Sequence, residues 1–126
     1  AAIRSMDAAA AAGVNRYVMV SYFGAGPDHG VPQDNPFHAY ADAKTAADAY
    51  LQATDLAWTI LRPSGLTLEA ATGHISAGDG VTAGQVSRDN VAHVIRAVVA
   101  HPDTTSGRVI AFNDGPSPID EVVAGA

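Results

Sequence analysis

Residues 35–44 read Asn-Pro-Phe-His-Ala-Tyr-Ala-Asp-Ala-Lys and carry the most informative pattern in the chain, a tyrosine followed four residues later by a lysine. Lys44 is the only lysine among the 126 residues. On a helix, Tyr40 and Lys44 lie on one face about one turn apart, where an ammonium group stabilises a phenolate. The pattern therefore predicts a helix that presents an acid/base pair.

The sequence also predicts where this helix begins and which of its faces is buried. Asn35 and Pro36 predict its first turn, because asparagine caps helices well and proline is favoured at the first helical position. Apolar residues share the stripe of the tyrosine and lysine, from Phe37 to Ala47 and Leu51. We therefore expect this stripe to face the protein and not bulk water.

Helices and short apolar strands alternate around this segment. The predicted strands are Arg16–Phe23, Ala57–Arg62 and Arg108–Phe112, with a short extended piece at Val81–Val86. The predicted helices, besides the central one, are Ala1–Ala12, Asn90–Ala100 with Ser87 or Asp89 as its cap, and a short piece after Pro118. Residues 24–35, rich in glycine, proline and aspartate, are predicted to form a loop. Such alternation is typical of α/β architecture with a parallel sheet.

Composition limits the function classes. A chain of 126 residues with 48% hydrophobic residues forms one globular domain or part of one. A formal charge of −6 with scattered arginines argues against nucleic-acid partners and against an anionic membrane surface. Cysteine is absent, which excludes thiol chemistry and suits a cytoplasmic location. Arg4 and Asp7 interrupt the alanine-rich start, so neither a signal peptide nor a transmembrane segment is predicted.

The remaining ionisable residues predict no metal site. The five histidines are His29, His38, His74, His93 and His101, and no two of them stand four residues apart. We find no carboxylate at metal-ligand spacing from them. Asp42 and Asp48 are interpreted as charges on the solvated face of the central helix, and Arg62 as the partner of a surface carboxylate.

Several motifs occur in a characteristic order. A strand ends in Ser21, the Tyr40-x-x-x-Lys44 helix follows, and Arg62-Pro63-Ser64-Gly65-Leu66 follows the next strand. Further motifs are Ala46-Ala47-Asp48, Leu56–Pro63 and Ser87–Ala92. This order resembles the atypical short-chain dehydrogenase/reductase family, in particular its compact NAD(P)-binding group of NAD-dependent epimerase/dehydratase-like or sugar-epimerase-like proteins. The resemblance covers nearly the whole chain and implies the C-terminal part of a Rossmann-like doubly wound parallel sheet.

The resemblance implies a role for each matching residue and NAD or NADP as cofactor. Tyr40 would exchange a proton with the substrate oxygen, and Lys44 would hold the ribose hydroxyls and favour the ionised tyrosine. Ser21 would contact the nicotinamide side or the substrate. Pro63 and Ser64 would line the nicotinamide end of the cleft.

Two departures from the family pattern matter. Related extended enzymes carry a catalytic hydroxyl two residues after the serine that matches Ser21, and this chain has Phe23 there. The family also begins with a strand and a Gly-rich turn that binds the cofactor pyrophosphate. Gly24-Ala25-Gly26 is followed by Pro27 and does not open a helix, so it is not interpreted as that turn.

These departures define the expected domain and partners. Residues 1–126 are expected to be the C-terminal portion of a single NAD(P)-binding domain whose Gly-rich N-terminal half is absent, and to be inactive alone. An unpaired sheet edge predicts a homo-oligomer or association with the missing half. Variable loops at residues 24–35 and 66–86 would shape the site for a small-molecule substrate.

Three functions remain open from the sequence. The first is an NAD(P)-dependent oxidoreductase or epimerase acting on a small carbonyl or hydroxyl compound. The second is a non-catalytic NAD(P)H-binding regulatory or sensor module, which Phe23 favours. The third is a structural or interaction domain.

Overall fold

The computed structural model describes residues 2–78 and 80–126, so that Ala1, the predicted start of the first helix, lies outside the described residues. The helices are α1 (Ala2–Ala11), α2 (His38–Gln52), α3 (Arg88–Ala100), α4 (Pro102–Thr105) and α5 (Ile119–Ala124). The strands are β1 (Arg16–Val20), β2 (Ala57–Pro63), β3 (Gly65–Thr67), β4 (His74–Ala77), β5 (Gln85–Ser87), β6 (Arg108–Asp114) and β7 (Ser117–Pro118). No helix in residues 2–78 and 80–126 combines the length and the apolar character needed to cross a membrane.

Five strands form the main sheet in the order β1-β2-β6-β4-β7. Strands β1, β2 and β6 run parallel, whereas β4 pairs antiparallel with both β6 and β7. Strands β3 and β5 form a separate parallel pair. The predicted α/β architecture with a mainly parallel sheet is confirmed, and the antiparallel edge is an addition that the sequence did not predict.

The helices cover both faces of the sheet. Neighbouring residues of β2 point to opposite faces, and accordingly Ile60 and Leu61 are both fully buried in different apolar clusters. Ile60 packs with Met6 of α1 and Leu51 of α2, while Leu61 packs with the cluster that contains Val98 of α3. Each fully buried aliphatic side chain of this kind contributes about 1.5–3 kcal/mol. The result is a three-layer arrangement in which α2 is fixed against the sheet by its C-terminal half.

Two predicted boundaries near the central helix are wrong. Helix α2 begins at His38 and not at Pro36, because Asn35 forms a turn in which its side-chain oxygen accepts the Phe37 amide at 2.9 Å. Strand β1 ends at Val20 and not at Phe23. The Phe23 amide still donates to the carbonyl of Pro63 at 2.9 Å, so the chain continues alongside β2 after the strand ends.

The predicted third helix is extended by two residues and capped by one of the two proposed residues. Ser87 is the N-cap of α3, and its hydroxyl accepts the Asn90 amide at 3.0 Å. The Asn90 side chain is fully buried beneath this cap. Its carboxamide nitrogen donates to the Thr72 hydroxyl at 2.9 Å and to Asp114 at 2.6 Å, and its oxygen accepts the Gly73 amide at 3.0 Å. Asn90 thus joins α3 to β6 and to the turn before β4.

Replacing Asn90 with alanine is expected to destabilise the fold by about 2–3 kcal/mol, because several buried partners lose their hydrogen bonds at once. Urea unfolding of the variant and the wild type measures the difference. Asp89→Ala, at the preceding exposed position of α3, is the matched control and is expected to lose much less. Equal losses in the two variants would contradict the role assigned to Asn90.

Candidate functional site

The carboxyl ends of β1 and β2 meet at one edge of the sheet, beside the N-terminal half of α2. The backbone after β1 follows β2, since the Ser21 amide donates to the carbonyl of Leu61 at 2.7 Å. Ser64 continues from β2 and donates its amide to the carbonyl of Phe112 on β6 at 3.3 Å. In open α/β sheets, ligands bind in the crevice outside the carboxyl ends of the strands.

Tyr40 and Lys44 lie on the side of α2 that faces this edge. The Lys44 Nζ atom donates to the carbonyl of Val20, the last residue of β1, at 3.1 Å and lies 5.8 Å from the centroid of the Tyr40 ring. An ammonium group has three N–H donors, so two remain for a ligand. The Tyr40 side chain is 45% exposed. The stripe was predicted to face the protein and not bulk water, and at Tyr40 it is open to solvent.

A cleft of about 370 Å³ adjoins the tyrosine. Its aromatic lining consists of Tyr22, Phe23, Phe37 and Tyr40, and Pro63, Ser64 and Leu66 also line it. Three of the five residues predicted for the site, Tyr40, Pro63 and Ser64, therefore share one cleft. Lys44 reaches the strand end beside it, and Ser21 is buried beneath.

Aromatic contacts hold the tyrosine ring in position. The Tyr40 centroid lies 4.9 Å from that of Phe37 and 5.7 Å from that of Tyr22, and Tyr22 meets Phe37 edge to face at 5.2 Å. The Tyr22 hydroxyl is buried and has no hydrogen-bond partner among the described residues. Burial, followed by the negative charge of Asp48, raises the pKa of Tyr22. Tyr22 therefore stays a neutral phenol, and its ring supports Tyr40.

A buried polar network lies directly beneath the cleft. The Ser21 hydroxyl donates to Asp48 Oδ2 at 3.1 Å, and Arg62 Nη2 donates to the same oxygen at 3.0 Å. Asp48 is only 2% exposed, so the prediction that it lies on a solvated face is wrong. The prediction that Arg62 pairs with a surface carboxylate is wrong for the same reason.

The position of Asp48 has a physical cause that the sequence contains. Asp48 lies one turn after Lys44 and therefore on the same side of α2, which packs against the sheet. A carboxylate at such a position needs a partner, and Arg62 supplies it from β2. The spacing of Asp48 from Lys44 could have indicated that Asp48 is buried. Its partner, Arg62, could not be identified without knowing how the strands pair.

Sequence reasoning also missed a second polar cluster on α2. Asp42 accepts from His29 Nε2 at 2.8 Å and contacts His38 Nε2 at 2.9 Å. The His29 hydrogen bond, together with the histidine charges, lowers the pKa of Asp42. The i,i+4 spacing of His38 and Asp42 was visible in the sequence, but His29 comes from the loop.

The hydrogen bonds of the His29 ring nitrogens show whether this cluster can bind a metal ion. His29 Nδ1 accepts the Val31 amide at 3.0 Å, so the ring proton of neutral His29 is on Nε2 and points at Asp42. The ligand atoms of His29, His38 and Asp42 all lie within 4.8 Å of one another, a separation compatible with a metal ion. However, His29 uses the nitrogen that faces Asp42 as a donor. The cluster is therefore a hydrogen-bonded clamp that holds the loop before α2 against the helix.

The glycines after β1 do not form a phosphate cradle. The Gly26 amide donates to the Thr45 hydroxyl at 3.1 Å, and the Ala25 amide donates to the carbonyl of Tyr22 at 3.1 Å. Both amides are therefore engaged within the protein. Gly24 (φ +95°) and Gly26 (φ +149°) instead provide backbone conformations that other residues rarely adopt, which lets the chain turn sharply after β1.

Comparison with known proteins identifies relatives of this architecture. Residues 1–102 match the model of a family described as NAD(P)H-binding. An uncharacterised sugar epimerase, YhfK of Bacillus subtilis, is 37% identical over 123 residues, which are 97% of this chain and 56% of that protein. The chain thus spans little more than half the length of the curated relatives it matches.

Solved structures give the same result. A protein from Bacillus halodurans, provisionally assigned as an NAD-dependent epimerase/dehydratase, superimposes with a TM-score of 0.89 at 30% identity, over 99% of this chain and 58% of that one. The oxidoreductase ylbE from Lactococcus lactis gives a TM-score of 0.87 at 33% identity, over 97% of this chain and 56% of that one.

Proposed function

Because this chain belongs to the NAD(P)H-binding family, we propose that it forms the nicotinamide end of an NAD(P)-dependent oxidoreductase or epimerase of the short-chain dehydrogenase/reductase type. The family and the Rossmann-like fold class predicted from the sequence are confirmed. The observation that carries the proposal is the position of Tyr40 and Lys44 beside a cleft at the carboxyl ends of β1 and β2. The substrate is proposed to be a small carbonyl or hydroxyl compound.

The proposed domain extends beyond residues 1–126. We propose that these residues are the C-terminal portion of a single NAD(P)-binding domain, and that the Gly-rich half, which binds the pyrophosphate, precedes them. Two observations support this assignment: the chain spans 56% of its YhfK relative, and the amides of Gly26 and Ala25 are engaged within the protein. Strand β1 ends the sheet at one side, so the other half would pair along it. Self-association through the same edge is the alternative partner.

The donors on this chain fit the nicotinamide riboside part of such a cofactor. Lys44 has two N–H groups free of the Val20 carbonyl, which match two neighbouring ribose hydroxyls. Pro63, the last residue of β2, and Ser64 also line the cleft, and we propose that the nicotinamide ring lies against them. When bound, a nicotinamide donates or accepts a hydride with its electron pair.

Residues of the protein transfer the proton that accompanies the hydride. In reduction, the Tyr40 O–H bond breaks as the proton passes to the substrate oxygen, and in oxidation the phenolate takes the proton back. We propose that the Lys44 ammonium, 5.8 Å from the centroid of the Tyr40 ring, stabilises the negative charge that develops on the phenol oxygen as the proton leaves. Ser21 was expected to contact the nicotinamide or the substrate; since its hydroxyl donates to Asp48, we propose that it acts by fixing the end of β1 under the cofactor.

A second candidate function rests on Phe23. This residue lines the cleft where related extended enzymes carry a hydroxyl that hydrogen-bonds the substrate carbonyl, and a phenyl ring cannot donate. A cofactor-binding sensor without turnover would tolerate this residue. Cofactor binding with no hydride transfer to any carbonyl tested would favour the sensor.

Replacing Lys44 with methionine is expected to weaken NADPH binding about tenfold or more, because the ribose loses charge-assisted hydrogen bonds while the apolar stem is retained. The measurement is a titration of the full-length protein with NADPH and NADH, followed by nicotinamide fluorescence. The wild type should bind at least one of them saturably. Arg88→Met, which removes an exposed cation at the start of α3, is the control and should leave the affinity unchanged. Absence of saturable binding by the wild type would reject both candidate functions.

A further inference from the structure

The cleft beside Tyr40 exposes two large apolar side chains. Phe37 is 42% exposed and Leu66 is 47% exposed, and both line the cleft together with Phe23. Exposure of apolar surface to water is unfavourable, and a ligand that covers this surface removes that cost. Apolar side chains around a concave site are therefore commonly part of a binding site. The cleft is therefore suited to an apolar ligand.

Polar groups in this cleft are few and mostly occupied. Ser64 donates its hydroxyl to Asn113, and the Tyr22 hydroxyl is buried away from the cleft surface. No carboxylate, ammonium or guanidinium group lines it within the described parts of the chain. The Tyr40 hydroxyl is thus the one exposed side-chain donor of this cleft, among the described residues, that is free to bind a polar atom of a ligand.

From this lining we propose that the site takes an uncharged, ring-containing carbonyl compound or the matching alcohol, and not a polyhydroxylated sugar; this inference rests on the proposed function. One oxygen of such a compound meets the Tyr40 hydroxyl, and its ring lies against Phe37 and Leu66. A sugar would bring several hydroxyls into a wall that offers them no partners, and each would give up its hydrogen bonds to water.

The inference also assigns specificity to one residue. With a nicotinamide ring against Pro63 and Ser64, Phe37 and Leu66 are exposed apolar side chains that remain for the substrate. The leucine comes from β3, outside the helix that carries Tyr40. Leu66 can therefore be changed without altering the acid/base pair. Leu68, two residues later, is 89% exposed and does not line the cleft, so it provides a matched control.

The test measures binding directly and does not depend on turnover. The full-length protein, saturated with whichever of NADP⁺ and NAD⁺ it binds, is titrated with 4-nitrobenzyl alcohol and, separately, with methyl glucoside by calorimetry. We expect the aryl alcohol to bind at least tenfold more tightly than the glucoside. Leu66→Ala should weaken binding of the aryl alcohol about tenfold, as expected for lost methyl groups in an apolar pocket, and Leu68→Ala should change it less than twofold.

The outcomes separate this inference from the function on which it rests. Equal or tighter binding of the glucoside overturns the inference, as does an equal effect of Leu66→Ala and Leu68→Ala. If neither NADP⁺ nor NAD⁺ binds, the proposed function is rejected, and the same titrations without cofactor decide the inference. Binding of the aryl alcohol that depends on Leu66 then supports an apolar ring site of another function, and its absence overturns that site as well.

Discussion

Replacing Tyr40 with phenylalanine is expected to lower kcat by about 10²–10⁴-fold, the usual contribution of a positioned acid/base group. The substitution removes only the hydroxyl, so the ring contacts with Phe37 and Tyr22 are retained. NADPH affinity should therefore change little, because Lys44 still holds the ribose. Steady-state oxidation of NADPH by the full-length protein, with a carbonyl compound that the wild type reduces, measures kcat.

The same helix offers a matched control for this variant. Tyr50 is 39% exposed and donates its hydroxyl to Asp7 on α1, away from the cleft. Tyr50→Phe should leave kcat within about twofold of the wild type, which shows that loss of an exposed phenol is harmless elsewhere on α2. A Tyr40→Phe protein with the wild-type kcat would remove Tyr40 from the reaction.

Replacing Asp48 with alanine is expected to destabilise the protein by about 3 kcal/mol, at the low end of the range for a broken buried ion pair. The low end applies because the Arg62 side chain retains 23% exposure and reaches some water. The loss arises from a guanidinium left without its carboxylate and from a Ser21 hydroxyl left without its acceptor. Urea unfolding monitored by circular dichroism gives the free energy of unfolding.

Two further variants define the cause of that loss. Asp42→Ala removes a carboxylate from the same helix whose side chain is 58% exposed, and it should cost much less. A double replacement, Asp48→Ala with Arg62→Met, should recover part of the loss, because no unpaired charge then remains. A double variant less stable than Asp48→Ala would show that Arg62 contributes by packing and not through its charge.

Local pattern was sufficient to predict the helix that carries the candidate site. The spacing of Tyr40 and Lys44 places them on one face of any regular helix, whatever surrounds it, and the apolar positions at Ala47 and Leu51 determine which face is buried. The predicted strands Ala57–Arg62 and Arg108–Phe112 are confirmed, and the structure extends them to Pro63 and Asp114. They could be predicted because each contains a run of apolar residues buried between two helix layers.

Features that depend on distant partners were not readable in this way. Asp48 is buried because Arg62 on β2 neutralises it, and a single sequence does not show that pairing. The strands His74–Ala77 and Ser117–Pro118 have only four and two residues, too few for a pattern to identify them, and each exists because it pairs with another strand. His29 reaches Asp42 only because the loop folds back on α2.

A crystal structure of the full-length protein with NADP⁺ tests the central claim most directly. The distance to measure joins Lys44 Nζ to the nearest hydroxyl oxygen of the nicotinamide ribose. We expect about 2.7–3.2 Å, with the nicotinamide ring between Pro63 and the Tyr40 hydroxyl. A cofactor whose ribose lies beyond hydrogen-bond reach of Lys44, or whose nicotinamide occupies another cleft, would contradict the claim.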